Sequence, residues 1–430
     1  MKITEIVLTP IAFRDPPLLN SVGVHEPLAL RTIVEIHTDE GVSGLGETYG
    51  DAGHLERTRK VVPALVGLDV YDLNGLHAAV AGALGGVVGS DQHGLTGQMT
   101  GIGTVDRVFS PFEVACLDIQ GKHQGRPVVD LLGGKVRDAV PYSAYLFYKW
   151  AGHPVTGDLL AGSSNVTVPD QWGEALDPAG IVAQARKLID EYGFGSIKLK
   201  GGVFPPEEEM EAIRALRTAF PNHPLRLDPN AVWTPDTSVK VAEQLDGVLE
   251  YLEDPTSSIE GMAEVAARVD IPLATNMCVV SFDHLPPAVR QNAIQVLLSD
   301  HHYWGGLTRS RSLALLCETF GIGLSMHSNS HLGISLAAMT HLAAATPNLR
   351  YACDTHYPWN SEDDIVKPGA LSFVDGAVPV PSGPGLGVEL DRDALAVAHQ
   401  RFLDTDIRSR DDTGYMRRVE PSYERKNPRW

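Results

Sequence analysis

Ser196-Ile197-Lys198-Leu199-Lys200-Gly201-Gly202 sets two lysines two residues apart in an apolar run that stops at paired glycines. Strand side chains two apart point the same way, so Lys198 and Lys200 share one face. Gly201-Gly202 marks a turn where another group approaches the backbone closely. The same design, a short β-rich run ending in a polar side chain, recurs. The runs cover 140–147, 196–200, 225–230, 249–254, 272–277, 294–300, 322–329 and 349–356. Amphipathic stretches between them include 179–192, 207–220, 236–245, 260–269, 287–292, 307–320 and 334–345. Strands alternating with helices imply a parallel sheet, and eight such units imply a (β/α)8 barrel. The units share no sequence identity, so the periodicity is architectural.

The strand ends carry the functional signal. In order they offer Lys198 and Lys200, Asp228 and Asn230, Glu253, Asn276, Asp300, His327 with Asn329, and His356. Their spacing runs from 23 residues (Glu253 to Asn276) to 30 (Lys198 to Asp228), one βα unit each. In a closed barrel these ends converge on one mouth.

Asp228, Glu253 and Asn276 offer only oxygen ligands, a set suited to a hard cation such as Mg²⁺. Zinc would call for His or Cys. The plain alternative is that Asp228 and its like are N-caps of the following helices. Two ammoniums beside a divalent metal should each titrate low, which prepares one of the two lysines as a general base. Asp300 and His327 end neighbouring strands. The carboxylate would hold the imidazole tautomer and raise its pKa, making His327 an acid or base at neutral pH. His301, His302, His331 and His341 have no such placement and read as structural. No G-x-G-x-x-G stands between a strand and a helix, and there is no P-loop, H-E-x-x-H or H-x-H at the first barrel strand.

Outward from the barrel, 30–37 alternates well, ends in the turn Thr38-Asp39-Glu40-Gly41, and returns along 42–47. With the strand at 2–8 this predicts a small α+β domain. The segment 14–26, rich in Pro, Asn and Gly, reads as a mobile loop. Ser110-Pro111-Phe112-Glu113 has the form of a capping box opening a helix over 114–124. Residues 131–135 read as a domain junction. The insert 150–178 interrupts the rhythm after the first barrel strand, at the face where barrel enzymes keep their sites.

The whole chain bounds the reading. Its 430 residues carry a net charge of −19, with 43% hydrophobic and 21% charged residues, an ordinary globular composition. The acid excess disfavours nucleic acid. No window reaches the roughly 18 apolar residues of a spanning helix. The start, Met1-Lys2-Ile3-Thr4-Glu5, lacks a signal-peptide core, and Cys116, Cys278, Cys317 and Cys353 are scattered, so a reduced cytoplasmic chain is expected.

These motifs resemble the enolase superfamily, and within it the glucarate dehydratase subgroup. The matching text is 193–202, Leu227-Asp228-Pro229-Asn230, Glu253-Asp254-Pro255, Ala274-Thr275-Asn276-Met277, Asp300, His327-Ser328-Asn329 and Asp354-Thr355-His356. Residues 384–389 and 410–412 also look like that subgroup's C-terminal segments. The resemblance implies a modified TIM barrel closed over by an N-terminal α+β capping domain. The expected divisions are 1–135 for the cap, 136–380 for the barrel and 381–430 for a C-terminal segment returning to the cap. It implies Mg²⁺ held by Asp228, Glu253 and Asn276, binding a substrate carboxylate and stabilising the enediolate. Lys200 and the His327–Asp300 dyad would stand on opposite faces of the reacting carbon, with His327 assisting departure of the β-hydroxyl. Lys198 would neutralise the carboxylate and Asn230 hold the intermediate. His25, Tyr145, Lys198, Asn276, Ser328, Asn329, His356 and Arg410 match substrate contacts, with Thr104 or Ser110 as a further one. The segment after Glu253-Asp254-Pro255 is about six residues shorter than in well-known members. Glu253 is therefore expected as the second metal ligand, with Glu260 as the fallback.

The activity expected is that of a Mg²⁺-dependent hydro-lyase dehydrating D-glucarate or a close epimer to a keto-deoxy diacid. The alternatives are a racemase or epimerase using the same two bases, a dehydratase of another hydroxy acid, and a non-catalytic sugar-acid binder. The expected partners are a small aldarate and further copies of the chain in a homo-oligomer, with no nucleic acid and no membrane.

Overall fold

The computed structural model describes residues 1–89, 99–153 and 170–430. The apolar alternation around Val34 yields the middle strand of an antiparallel sheet. β1 (Ile3–Arg14), β2 (Leu28–Thr38) and β3 (Ser43–Tyr49) pair in the order β1–β2–β3, with Val34 opposite Leu8 on one side and Gly46 on the other. Helices α1 (Ala52–Leu65), α2 (Leu73–Leu84) and α3 (Gly101–Gln124) follow. β3 carries glycine at 44 and 46 because α3 runs against it. A Cβ on either would collide with the carbonyl oxygen of Ala115 or Pro111.

The capping box expected at Ser110–Glu113 is not one. α3 runs straight through it, capped at its start by Thr100, whose Oγ1 accepts from Gly103 N at 3.0 Å, with Pro111 inside. Ser110 Oγ donates to the His301 carbonyl at 2.8 Å, and Glu113 turns to the barrel. Tertiary partners use the very groups that the local pattern reserved for a cap.

The barrel strands are β4 (Ala144–Phe147), β5 (Ile197–Lys200), β6 (Leu225–Asp228), β7 (Tyr251–Glu253), β8 (Leu273–Thr275), β9 (Val296–Ser299) and β10 (Gly323–Met326). They form a seven-stranded parallel sheet in that order. The eighth run, 349–356, is not a regular strand. It bridges Leu324 through Leu349 and Tyr142 through Cys353, while Asp354 N donates to Met326 O and Cys353 N to Pro141 O, both at 2.9 Å. Arg226 Nη1 and Ser325 Oγ occupy the Ala352 carbonyl, so a ladder cannot run through it. The segment still closes the ring, which is a modified TIM barrel.

Between the strands lie α4 (Pro178–Tyr192), α5 (Pro206–Ala219), α6 (Pro235–Gln244), α7 (Ile259–Ala266), α8 (Leu285–Arg290), α9 (Leu307–Thr319) and α10 (Gly333–Ala344). Asp177, Thr234 and Ser258 cap α4, α6 and α7 from their own N-cap positions. α9 and α10 begin at Gly306 and Leu332, which supply no side-chain cap. The cap domain supplies both. Glu113 accepts from Leu307 N (2.8 Å) and Thr308 N (2.9 Å), and Glu47 accepts from Leu332 N (3.0 Å) and Ser335 N (2.9 Å). Gly306, at φ +90°, leaves the space that Glu113 enters. Glu113→Ala strands one buried and one half-buried N–H donor, so it should lower unfolding free energy by roughly 1–3 kcal/mol. Chemical denaturation checks this, and an unchanged midpoint would show that the contact contributes nothing.

The segment 14–26, expected to be a mobile loop, contains a buried hairpin, Leu19–Asn20 against Gly23–Val24, lying over the barrel mouth. α11 (Arg392–Asp404) packs on the sheet, with His399 Nδ1 2.7 Å from the Pro10 carbonyl. α12 (Asp412–Val419) lies against the hairpin. The expected insert falls largely, at 154–169, outside the described residues. Among the described residues no helix is long and apolar enough to cross a membrane. All four cysteines are free and buried.

Candidate active site

The strand ends do converge. Ten of the expected residues line one pocket with about 560 Å³ of empty space: His25, Tyr145, Lys200, Asn230, Asn276, His327, Ser328, Asn329, His356 and Arg410. Lys198, Asp228, Glu253 and Asp300 lie buried around it. Thr104 and Ser110 are buried in α3 and do not line it.

The floor is a compact charge network. Lys198 Nζ donates to Glu253 Oε1 and to Asp354 Oδ2, each at 2.6 Å, and lies 3.5 Å from Asp228 Oδ2. Lys200 Nζ donates to the same Asp228 oxygen at 2.7 Å. Burial works against the Lys198 charge, but Asp354 and Glu253 outweigh it and hold the ammonium well above its usual range. The low titration expected for Lys198 is therefore reversed. Burial and then Asp228 push the Glu253 carboxyl well up. For Asp228 burial is overcome by Lys200 and Lys198, which hold it below the usual range.

Asp354 Oδ1 has no hydrogen-bond partner among the described residues but lies 3.6 Å from the Arg226 guanidinium, and two further oxygens here are orphans. Glu253 Oε2 and Asn276 Oδ1 are buried with no hydrogen-bond partner among the described residues. They belong to adjacent parallel strand ends, in register through Glu253 and Ala274. Buried acceptors left unpaired are costly, and a cation facing them removes the cost. With Asp228 they make an all-oxygen donor set fitted to a hard cation. Glu260, the fallback ligand, sits exposed in the first turn of α7. The turns that carry these residues are strained. Asn230, Ala231 and Asp254 have φ of +59°, +63° and +36°, and such outliers cluster at functional sites. Asp254 holds its turn by accepting from Asn276 N at 2.8 Å.

On the wall, His327 Nδ1 lies 3.0 Å from Asp300 Oδ2. Burial lowers the imidazole pKa, and the Asp300 hydrogen bond only partly offsets it. The raised pKa expected from the carboxylate is thus corrected, and the neutral ring is favoured. Asp300, His301 and His302 also come together as possible metal donors. The Asp300 oxygens there already accept from His302 and face His327.

The roof comes from both chain ends. Asn20 Nδ2 donates to Asp412 Oδ2 at 2.8 Å, and Arg410 Nη2 donates to the same oxygen at 2.7 Å. His25 Nδ1 lies 3.0 Å from Asp15 Oδ2, and Asn230 Nδ2 donates to Ser21 Oγ at 2.6 Å. Burial and the neighbouring His25 hold His356 well below the usual histidine range, with its Nδ1 3.2 Å from Ser328 Oγ. Arg410 and His356, both expected as substrate contacts, differ in what they bring to the pocket. The structure pairs the first with Asp412 and favours the neutral form of the second.

Several residues escaped the sequence reading. Asn20, Val22, Phe147, Met277, Tyr303 and Asp412 line the pocket, and Asp354 grips Lys198 beneath it. Asp354 was within reach, two residues before His356 in a quoted motif.

Residues 2–133 match the mandelate racemase / muconate lactonizing enzyme N-terminal domain, and 180–394 match the enolase C-terminal domain-like family. A probable glucarate dehydratase of Streptomyces coelicolor is 54% identical, over 100% of this chain and 99% of its own. The crystal structure of an enolase from Thermobispora bispora, complexed with magnesium and formate, is 67% identical, with a TM-score of 0.96 and full coverage of both chains. One from Pseudomonas fluorescens, with bound magnesium, potassium and tartrate, is 51% identical, with a TM-score of 0.93, covering 100% of this chain and 99% of that one. The chain belongs to the enolase superfamily, and is glucarate dehydratase-like within it.

Proposed function

We propose that the protein is a Mg²⁺-dependent dehydratase of D-glucarate or a close epimer, yielding 5-keto-4-deoxyglucarate. An acid-sugar dehydratase of the enolase superfamily is the coarser statement, and the full-length likeness to a probable glucarate dehydratase supports it. The observation that carries the finer reading is one pocket lined by Lys200 and His327, with the orphaned Glu253 and Asn276 oxygens beside it.

Asp228, Glu253 and Asn276 would hold Mg²⁺. When bound it supplies divalent charge against a substrate carboxylate that becomes more anionic as the α-proton leaves. Lys198, kept charged by Asp354, sets a fixed positive charge at the same place. Lys200 or His327 takes the α-proton, depending on which face of the carbon carries it. Neutral His327 leaves Nε2 as the basic atom, because Nδ1 faces Asp300. When His327 takes the α-proton, the resulting imidazolium gives it to the departing β-hydroxyl, which leaves as water, and the enol product ketonises. When the neutral amine of Lys200 takes it, His327 enters as imidazolium and supplies the proton from Nε2. Asn230 offers an amide to the intermediate. His25, Tyr145, Ser328, Asn329, His356 and Arg410 would contact the rest of the sugar acid, with Asn276 shared between metal and substrate.

The reading includes cytoplasmic residence, in keeping with four free thiols, and assembly into a homo-oligomer. Incubation with Mg²⁺ and a panel of aldarates and aldonates, with assay of 2-keto acid, tests the function. Turnover of D-glucarate or its epimers is expected, and no turnover of any acid sugar would sink the claim. The two candidate bases also allow epimerisation without elimination, which deuterium uptake without keto acid would reveal.

A further inference from the structure

Asp300 serves two histidines. Its Oδ2 faces His327 Nδ1, while its Oδ1 accepts the His302 backbone N–H at 2.9 Å and lies 2.7 Å from His302 Nδ1. The far nitrogen of that ring, Nε2, is 3.0 Å from Ser335 Oγ. Ser335 N donates to Glu47, which also accepts from Arg31 Nε at 3.0 Å. The chain of contacts runs from the pocket to the cap-domain sheet, and every member is buried.

We propose that His302 is a positioning residue for the His327–Asp300 dyad, its Nδ1–H fixing the Asp300 carboxylate that in turn fixes the His327 tautomer. The inference rests on the reading of His327 as a group that moves protons at the substrate. A carboxylate can only accept, so both imidazole nitrogens facing Asp300 must carry hydrogen. In neutral rings both Nε2 atoms are then lone pairs. That of His302 accepts from Ser335, and that of His327 has no protein partner among the described residues. Burial works against the Asp300 charge, but His302 and His327 outweigh it and hold it well below the usual range. Besides Asp300, the groups facing His327 include Lys198, Asp354 and His356, with Tyr303 stacked on the ring at 5.7 Å. Those around His302 are Glu47, His301, His331 and Tyr49. Without the His302 ring donor, Asp300 Oδ1 keeps only the backbone N–H of residue 302, and the carboxylate charge bears more fully on His327, which favours imidazolium.

The test uses the full chain with Mg²⁺ and the acid sugar that wild type turns over. His302→Leu should lower kcat on the order of 10–100-fold with KM little changed, and move the acid limb of kcat/KM to higher pH. His302→Asn, whose amide N–H can stand in for Nδ1–H, should restore most of kcat and the limb. Equal losses in both variants with an unmoved limb would reduce His302 to a structural role and overturn the proposal. Nitrogen NMR of wild type labelled at histidine gives an arm that needs neither activity nor a variant. Hydrogen on Nδ1 of His302 supports the proposal, and hydrogen on Nε2 overturns it. If wild type turns over no acid sugar, the function reading fails and the NMR arm alone decides.

Discussion

Lys200→Ala lowers kcat by about 10²–10⁴-fold, the range that a positioned general base contributes. Lys200 Nζ sits on the pocket wall 2.7 Å from Asp228 Oδ2, so on the proposed mechanism its removal deletes the amine that takes the proton from one face of the carbon. Asp228 is not abandoned by the change. Lys198 remains 3.5 Å from it, and Asn230 N still donates to its other oxygen at 2.9 Å. The loss should therefore fall on chemistry more than on stability, which thermal unfolding of the variant would show. Exchange in deuterium oxide sharpens the test. The variant should still exchange the α-proton of the epimer that faces His327, while failing on the one that faces Lys200. A kcat within threefold of wild type would remove Lys200 from the mechanism.

What could be read from sequence was whatever a strand places by itself. Lys198 and Lys200, two apart in an alternating run, had to share a face, and successive strand ends had to share a mouth. The roof could not be read that way. Asp412 meets Asn20 across 392 positions, and Asp15 meets Ser330 across 315, and no local pattern links them. Glu113 misled for a related reason. Its spacing from Ser110 fits a cap of its own helix, yet it caps α9 across the domain junction. Asp354 lies inside the run 349–356, and a rule that reads only the polar residue at the end of each run passes over it for His356. For His327 the sequence showed the partner carboxylate but not the depth of burial, and burial set the direction of the shift.

The net charge of −19 looked at odds with an anionic substrate. The site does not resolve this by gathering spare cations. Lys198 has Glu253 and Asp354, Lys200 has Asp228, and Arg410 has Asp412. Positive charge is fixed in place by acids that lie behind it. That arrangement favours electrostatic preorganisation over attraction at long range, since the far field of each pair nearly cancels.

Glu253→Gln weakens Mg²⁺ binding by at least about 100-fold, beyond the 10–100-fold that supporting residues of a metal site command. The metal-free fold should barely notice. The Glu253 carboxyl is already pushed well up by burial and Asp228, so a neutral amide of the same shape replaces a group that ionises reluctantly there. Lys198 keeps Asp354 at 2.6 Å. With metal present the difference grows, because the orphaned Oε2 is exchanged for a group of lower charge and the donor set drops to Asp228 and Asn276 oxygens. Titration calorimetry, and the rise in Tm with added Mg²⁺, read this without any substrate. Glu260→Gln is the control. Its side chain stands exposed on α7 and its loss should change neither measurement. If Glu260→Gln abolished Mg²⁺ binding while Glu253→Gln kept it, the cation would belong to the loop after the strand and not to the strand end itself.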